Sequence, residues 1–238
     1  MRTAYTVFRN LYNVRKMTMK LVLASGSQRR RELLTMCGYD YEIIVSNADE
    51  TIDENDPESF VRALSFRKAK EVFDRLFAAG RRDFAVIGSD TVVAFQKEGE
   101  TKPVIIGKPK DAEDAVRILS MLSGKTHRVF TGVSVIADIP DENADAQCSI
   151  REKAEIQTEC SITEVTFETL SPDEIADYVN SGDPLDKAGS YGIQGPFGMF
   201  VREIRGNYFT VIGMPIPVLY KMLKKIGILP HGFYERIE

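Results

Sequence analysis

A carboxylate in the middle of an apolar strand is the residue of this chain most in need of an explanation. Phe84 to Phe95 reads FAVIGSDTVVAF, a run of the kind buried on both faces of a sheet, with Asp90 at its centre. A lone buried carboxylate is costly unless hydrogen bonds or a cation compensate it. Either Asp90 caps a neighbouring helix or bonds a loop, or it serves a site of the kind that α/β sheets build at their strand ends. Lys68 is the second anomaly. Val61, Leu64, Val72 and Leu76 share one helical stripe with it, and lysine seldom belongs on an apolar face. Its stem snorkels to an edge, or its ammonium meets an anion. Asp49 and Glu50, in an acidic loop, are by default solvated. Beside Asp90 they would make an oxygen-rich site suited to Mg²⁺.

A second set of residues suits phosphate. Between the apolar run Leu21 to Ala24 and a helical pattern with Leu33, Leu34 and Cys37 stand Ser25, Gly26, Ser27, Gln28 and Arg29 to Arg31. A helix N-terminus offers free N–H groups and the positive dipole end, and arginine adds bidentate donors matched to phosphate oxygens. The competing reading is an ordinary capping box of Ser25 with Gln28 and solvated arginines. Lys108 follows Gly107 before Pro109, where turn chemistry is the plain alternative. Asp183 to Gly198 is a glycine-rich loop that permits close backbone approach to a ligand. Within it Lys187 could reach phosphate and the Gln194 amide could read a base edge, or the loop is simply a flexible surface.

Composition narrows the chemistry. A net charge of −4 and a pI near 5.5 argue against broad nucleic-acid binding, while leaving room for one basic site facing a small anion. No apolar run approaches the roughly eighteen residues of a membrane span. Three cysteines in no metal-like spacing suggest reduced thiols. With only His127 and His231, a multi-histidine zinc site is ruled out and a histidine triad is disfavoured. There is no nucleophile elbow and no Walker loop. Carboxylates, lysines, arginines and hydroxyls must do the work, with a hard divalent metal if one is used.

These residues need strands alternating with helices. The pattern predicts strands at 21–24, 41–45 and 84–95, and a helix from Asp56-Pro57 to about Ala79. A helix capped by Asp111 and ended by Gly124 follows. Two alternating runs, about 128–137 and 153–168, predict an antiparallel pair joined by the acidic tip 138–152. A capping box at Ser171 to Glu174 opens a helix closed by Gly182. A strand over about 200–212 and a helix over about 215–225 complete a mixed-sheet α/β fold. Residues 1–20 carry five basic residues and no acid, so residues 1–19 are read as a basic extension, disordered or organelle-targeting. The domain is placed at 20–227, with a tail at 228–238.

Taken in order, Ala24-Ser-Gly-Ser-Gln-Arg-Arg30, Gly88-Ser-Asp-Thr-Val-Val93, Gly107-Lys-Pro109, Leu122-Ser-Gly-Lys-Thr-His127 with Thr131-Gly132, and Asp186-Lys-Ala-Gly-Ser-Tyr-Gly-Ile-Gln-Gly195 resemble the Maf family of nucleoside triphosphate pyrophosphatases. The resemblance covers about residues 20 to 226. It implies a two-lobed Maf/ITPase-like fold, a long twisted mixed sheet with helices around it and an active-site cleft between the lobes. It also implies hydrolysis of a nucleoside triphosphate to the monophosphate and pyrophosphate, with Mg²⁺ or Mn²⁺. Under it, Asp90 is the general base or metal-linked acid, Glu50 its carboxylate partner in catalysis and metal binding, and Lys68 a further catalytic group. Ser25, Ser27, Arg30, Lys108 and Lys187 bind the substrate. Arg29, Thr91 and Gln194 match the branch acting on dTTP and UTP at its three selecting positions. The alternatives are the same reaction on CTP or a methylated purine nucleotide, and a catalytically idle nucleotide-binding regulator of cell division. A homodimer, a cytoplasmic location and no nucleic-acid or membrane partner are the accompanying expectations. Gln28 departs from the family's usual proline, and Met214-Pro215 stands where Leu-Pro is usual.

Overall fold

The computed structural model describes residues 19–139 and 154–231. The basic extension before residue 19, nearly all of the acidic tip and the last residues of the tail lie outside the described residues. Among the described residues seven strands form one mixed sheet: β1 (Lys20–Leu23), β2 (Tyr41–Ile43), β3 (Phe84–Phe95), β4 (Val104–Ile106), β5 (Thr126–Ala137), β6 (Glu155–Phe167) and β7 (Val201–Arg205). Their order is β2-β1-β3-β5-β6-β7, with β4 also paired to β3. The helices are α1 (Gln28–Met36), α2 (Pro57–Ala78), α3 (Ala112–Leu122), α4 (Pro172–Asn180), α5 (Tyr208–Ile212) and α6 (Ile216–Lys225). No helix among the described residues is long and apolar enough to cross a membrane.

The apolar run of β3 becomes the sheet's central strand because both its faces are covered. Its alternation shows how. On one face Phe84, Val86, Val92 and Ala94 pack against α2 through Val61, Ala69, Val72 and Phe73. On the other face the strand serves two separate cores. Ala85 and Ile87 join α1 and α6 through Leu33, Leu34, Leu219 and Leu223. Val93 and Phe95 join α3 and α4 through Ile118, Leu119, Ile175 and Val179. Between these cores the strand places Ser89 and Thr91 on that face, and Gly88 and Asp90 on the α2 face. These four residues thus lie between the two cores.

The sheet opens at the same stretch. β1 pairs with β3 in parallel only as far as Leu23 opposite Ile87, and β4 takes up the same edge antiparallel from Val93 opposite Ile106. On the other edge β5 pairs without interruption from Ala85 to Ala94. Residues 88–92 therefore have no strand partner on one side. That stretch lies at the carboxyl end of β1, where open α/β sheets offer their ligand sites.

α2 lies unusually close to this part of the sheet, and glycines permit it. A Cβ on Gly88 would stand 2.1 Å from the Ser65 carbonyl oxygen, and one on Gly132 of β5 would stand 2.1 Å from that of Val61. The helix starts where Asp56 accepts from the Ser59 amide at 2.9 Å, with Pro57 in the first turn.

Two local expectations need correction, and one strand was not foreseen. The strand expected over 200–212 stops at Arg205, because Gly206 turns the chain at φ +130 and Asn207 caps α5 by accepting from the Phe209 amide at 2.8 Å. The capping box of Ser25 and Gln28 does not form: Ser27 is the N-cap of α1 without a side-chain bond, and Gln28 bonds Glu32 instead. β4 had no sequence signal beyond three apolar residues.

Candidate active site

The two anomalous residues explain each other. Lys68 projects from the apolar stripe of α2 and donates from Nζ to Asp90 Oδ1 at 2.7 Å. The same ammonium stands 3.0 Å from Glu50 Oε1. The Lys68 and Asp90 side chains are only 12% and 13% exposed, whereas Glu50 is 66% exposed. A buried charge is tolerated when a partner compensates it, so the ion pair is what allows a carboxylate in this strand. Only Oδ1 is engaged among the described residues; the second oxygen of Asp90 is left for another ligand.

Glu50 reaches this point because its loop is strapped to α2. Arg67 donates from Nη1 to the carbonyls of Asp49 and Thr51 at 2.8 Å each. Glu71 accepts from the Asn47 amide at 3.0 Å, and Arg75 donates to the Val45 carbonyl at 3.1 Å. Residues 67, 71 and 75 are one helical turn apart and form one ridge. Sequence reasoning missed these clamps; the signal was charged residues at i, i+4 and i+8 beside the apolar stripe.

Across the sheet edge lies Arg30. Its Nε donates to the Gly213 carbonyl at 2.8 Å, Nη1 to Ser25 Oγ at 3.1 Å and Nη2 to Thr91 Oγ1 at 3.4 Å. All three acceptors are neutral. Burial presses its pKa down from arginine's ordinary value, and the charges of Asp90 and Glu50 oppose that. The guanidinium is fixed in place with no carboxylate bonded to it among the described residues, an arrangement suited to an incoming anion. Its supports are themselves held. Ser89 Oγ reaches the Gly213 carbonyl at 2.9 Å, and Thr91 bonds Thr131 at 3.0 Å, which donates to the Thr210 carbonyl at 2.7 Å. Gly213, at φ +109, is a further contributor the sequence did not reveal.

The glycine-rich loop supplies the remaining cations. Lys187 donates from Nζ to the Asp183 carbonyl at 2.6 Å, Asp183 Oδ1 at 3.0 Å and Asp186 Oδ1 at 2.7 Å. Arg29 bridges from α1 to Asp186 Oδ2 at 3.2 Å. Burial would raise the Asp186 pKa, yet the bonds and charges of Lys187 and Arg29 outweigh it and the pKa falls. Asp186 thus spans two cations with its two oxygens, as a phosphate edge would. Lys108, after β4, and Gln194 are exposed, and no hydrogen bond among the described residues ties either to this network. Ser27 is partly exposed at the α1 N-terminus, its amide bonded to Ser25 Oγ at 3.2 Å.

The structure thus joins Asp90, Glu50 and Lys68 directly, and joins Ser25, Arg30 and Thr91 directly. It joins Arg29 to Lys187 through Asp186. His127 stands apart, buried against Phe167 and Tyr191, its pKa pushed down to about 3 by burial. It is a core residue.

Asp90 and Glu50 each give one oxygen to the Lys68 ammonium and, among the described residues, keep the other unengaged. Among the described residues no cluster of three or more acidic, histidine or cysteine side chains could hold a metal by itself. Mg²⁺ commonly uses only one or two carboxylates and completes its shell with water and substrate phosphate. The pair fits such an ion.

The profile described as Maf-like protein matches residues 20–226. A protein of Agathobacter rectalis described as dTTP/UTP pyrophosphatase is 41% identical over 217 residues, covering 88% of this chain and 98% of its own length. One of the same description from Bacillus thuringiensis subsp. konkukian is 42% identical over 210 residues, covering 88% and 96%. Among solved structures, the Staphylococcus aureus Ham1 protein aligns with a TM-score of 0.43 and 14% identity, covering 87% of this chain and 98% of that one. The family implied by the ordered sequence motifs is the one these relatives and the profile bear out. The chain belongs to the Maf family.

Proposed function

We propose that this chain hydrolyses nucleoside triphosphates, dTTP and UTP foremost, to the monophosphate and pyrophosphate by attack of water on the α-phosphorus. The observation that carries the reading is the open edge of β3, with the Lys68–Asp90–Glu50 cluster on one side and the carboxylate-free Arg30 on the other. A polyanion lying across that edge meets an acid–base group and a fixed cation together. Relatives described as dTTP/UTP pyrophosphatases support the substrate class.

Asp90 and Glu50 would hold a divalent cation, Mg²⁺ or Mn²⁺, which when bound neutralises phosphate charge and makes water more acidic. The chain's own residues do the rest. Lys68 holds Asp90 by Oδ1, so Oδ2 is the oxygen that would face the ion and its water and take the proton. Arg30, fixed before substrate arrives, stabilises charge that grows as the leaving pyrophosphate separates. Lys187, Lys108 and the Ser25–Ser27 turn hold the phosphate chain. Arg29, Thr91 and the exposed Gln194 are the selecting residues of this reading, the Gln194 amide offering a pyrimidine edge one donor and one acceptor.

The test is a panel of dTTP, UTP, CTP, GTP and 7-methyl-GTP with Mg²⁺ or Mn²⁺, measuring pyrophosphate and orthophosphate separately. Pyrophosphate foremost from dTTP and UTP is expected. A different preferred base would refute the selectivity, and tight binding without product would refute catalysis.

A further inference from the structure

Lys187 is held by more than its exposed neighbour Asp186. Tyr178, on the buried face of α4 and 6% exposed, donates its hydroxyl to Asp183 Oδ2 at 2.5 Å and accepts from the Gly192 amide at 3.0 Å. Asp183 gives its other carboxylate oxygen and its carbonyl to the Lys187 ammonium, at 3.0 and 2.6 Å. The tyrosine ring is anchored in the core of its lobe, 4.8 Å from the Phe197 ring. Gly192 shapes the same groove: a Cβ there would stand 2.7 Å from Lys187 Cε and 3.2 Å from Asp183 Oδ2. The lysine stem passes through space that only glycine leaves open. Burial, and then the bond to Asp183, raise the Tyr178 pKa above tyrosine's ordinary value, so the phenol keeps its proton and remains the donor.

We propose that Tyr178, acting through Asp183, is a positioning residue that holds the Lys187 ammonium in place for the phosphate chain before substrate binds. The proposal rests on the reading of Lys187 as a phosphate-holding residue. A free lysine side chain gives up much rotamer freedom on being fixed. Here a path of hydrogen bonds from a packed aromatic core imposes that order in advance, which is how preorganised sites gain affinity. Asp186, at 65% exposure against 32% for Asp183, is the partner that substrate can displace while Asp183 keeps its grip.

Tyr178→Phe removes one hydroxyl and keeps the ring. The experiment measures kcat and KM for dTTP in the wild type, Tyr178→Phe, Lys187→Met and the double variant, a cycle that isolates coupling between the two residues. Tyr178→Phe is expected to raise KM about tenfold with kcat little changed in the wild-type background, and to shift KM by less than about twofold once Lys187 is Met. The same factor in both backgrounds would mean that Tyr178 acts on the fold at large, and would overturn the proposal. So would a wild-type KM for Tyr178→Phe. Acetic anhydride labelling of Lys187, read by peptide mass spectrometry, gives a readout independent of turnover; it should quicken in Tyr178→Phe. If Lys187→Met itself leaves KM unchanged, the phosphate-holding role of Lys187 fails, and labelling decides the cradle: faster labelling upholds it and unchanged labelling refutes it.

Discussion

Replacing Lys68 by Met keeps an aliphatic side chain on the stripe shared with Leu64 and Val72 and removes the charge. Asp90 then loses its one side-chain partner while 13% exposed. At the observed 2.7 Å, the gross attraction is about 6 kcal/mol for an effective dielectric near 20. Much of that offsets desolvation, and orphaning one partner of a buried pair costs about 3–5 kcal/mol in practice. The variant should therefore be destabilised by about 3–4 kcal/mol, which shifts the urea midpoint down by about 1.5–2 M for a slope near 2 kcal/mol per M. Adding Asp90→Asn removes the stranded charge. Lys68→Met with Asp90→Asn should recover about 2 kcal/mol relative to Lys68→Met alone, because an unpaired amide is far cheaper to bury than an unpaired carboxylate. Urea unfolding followed by far-ultraviolet circular dichroism reads both values. A double variant no more stable than the single one would refute the view that Lys68 compensates Asp90 in the free enzyme.

Gly88→Ala should destabilise the protein by about 2–3 kcal/mol, as overpacking does, and lower kcat as α2 carries Lys68 away from Asp90; unchanged melting and turnover would show that the helix can yield. His127 has a folded pKa of about 3 against an ordinary 6.5. Its contribution to stability is fully present above about pH 6.5 and is lost progressively as pH falls towards 3, amounting to about 2 kcal/mol lost by pH 5. His127→Phe should flatten that limb of the urea midpoint against pH, and an unchanged slope would assign acid lability to other groups. Gln194→Glu should cut dTTP and UTP turnover with no change in melting temperature, whereas an unaltered nucleotide profile would remove Gln194 from base reading.

The sequence carried the site in its anomalies. Asp90 in an apolar strand and Lys68 in an apolar stripe each posed an electrostatic debt, and the structure settles both with one contact. The long elements were legible for a related reason: β3 is one continuous apolar run, α2 and α3 open on aspartate caps, and all three fall where the pattern put them. What was not legible depends on contacts remote in the chain. Nothing near Arg30 announces that the carbonyl of Gly213, 183 positions away, will fix it. The interruption of the β3 edge follows from where β1 ends and β4 begins, and β4 is too short to signal itself. The strand expected over 200–212 failed because its apolar residues continue past Gly206 into a helix, and a glycine at positive φ resets the period without altering composition.

The central claim is that water attacks the α-phosphorus at Asp90. Hydrolysis of dTTP in ¹⁸O-labelled water, with the products resolved by mass spectrometry, tests it most directly. One ¹⁸O per turnover should appear in the phosphate of dTMP, with none in pyrophosphate, and Asp90→Asn should slow that incorporation by about 100-fold or more. Label in the pyrophosphate, or near-normal incorporation by Asp90→Asn, would contradict the account.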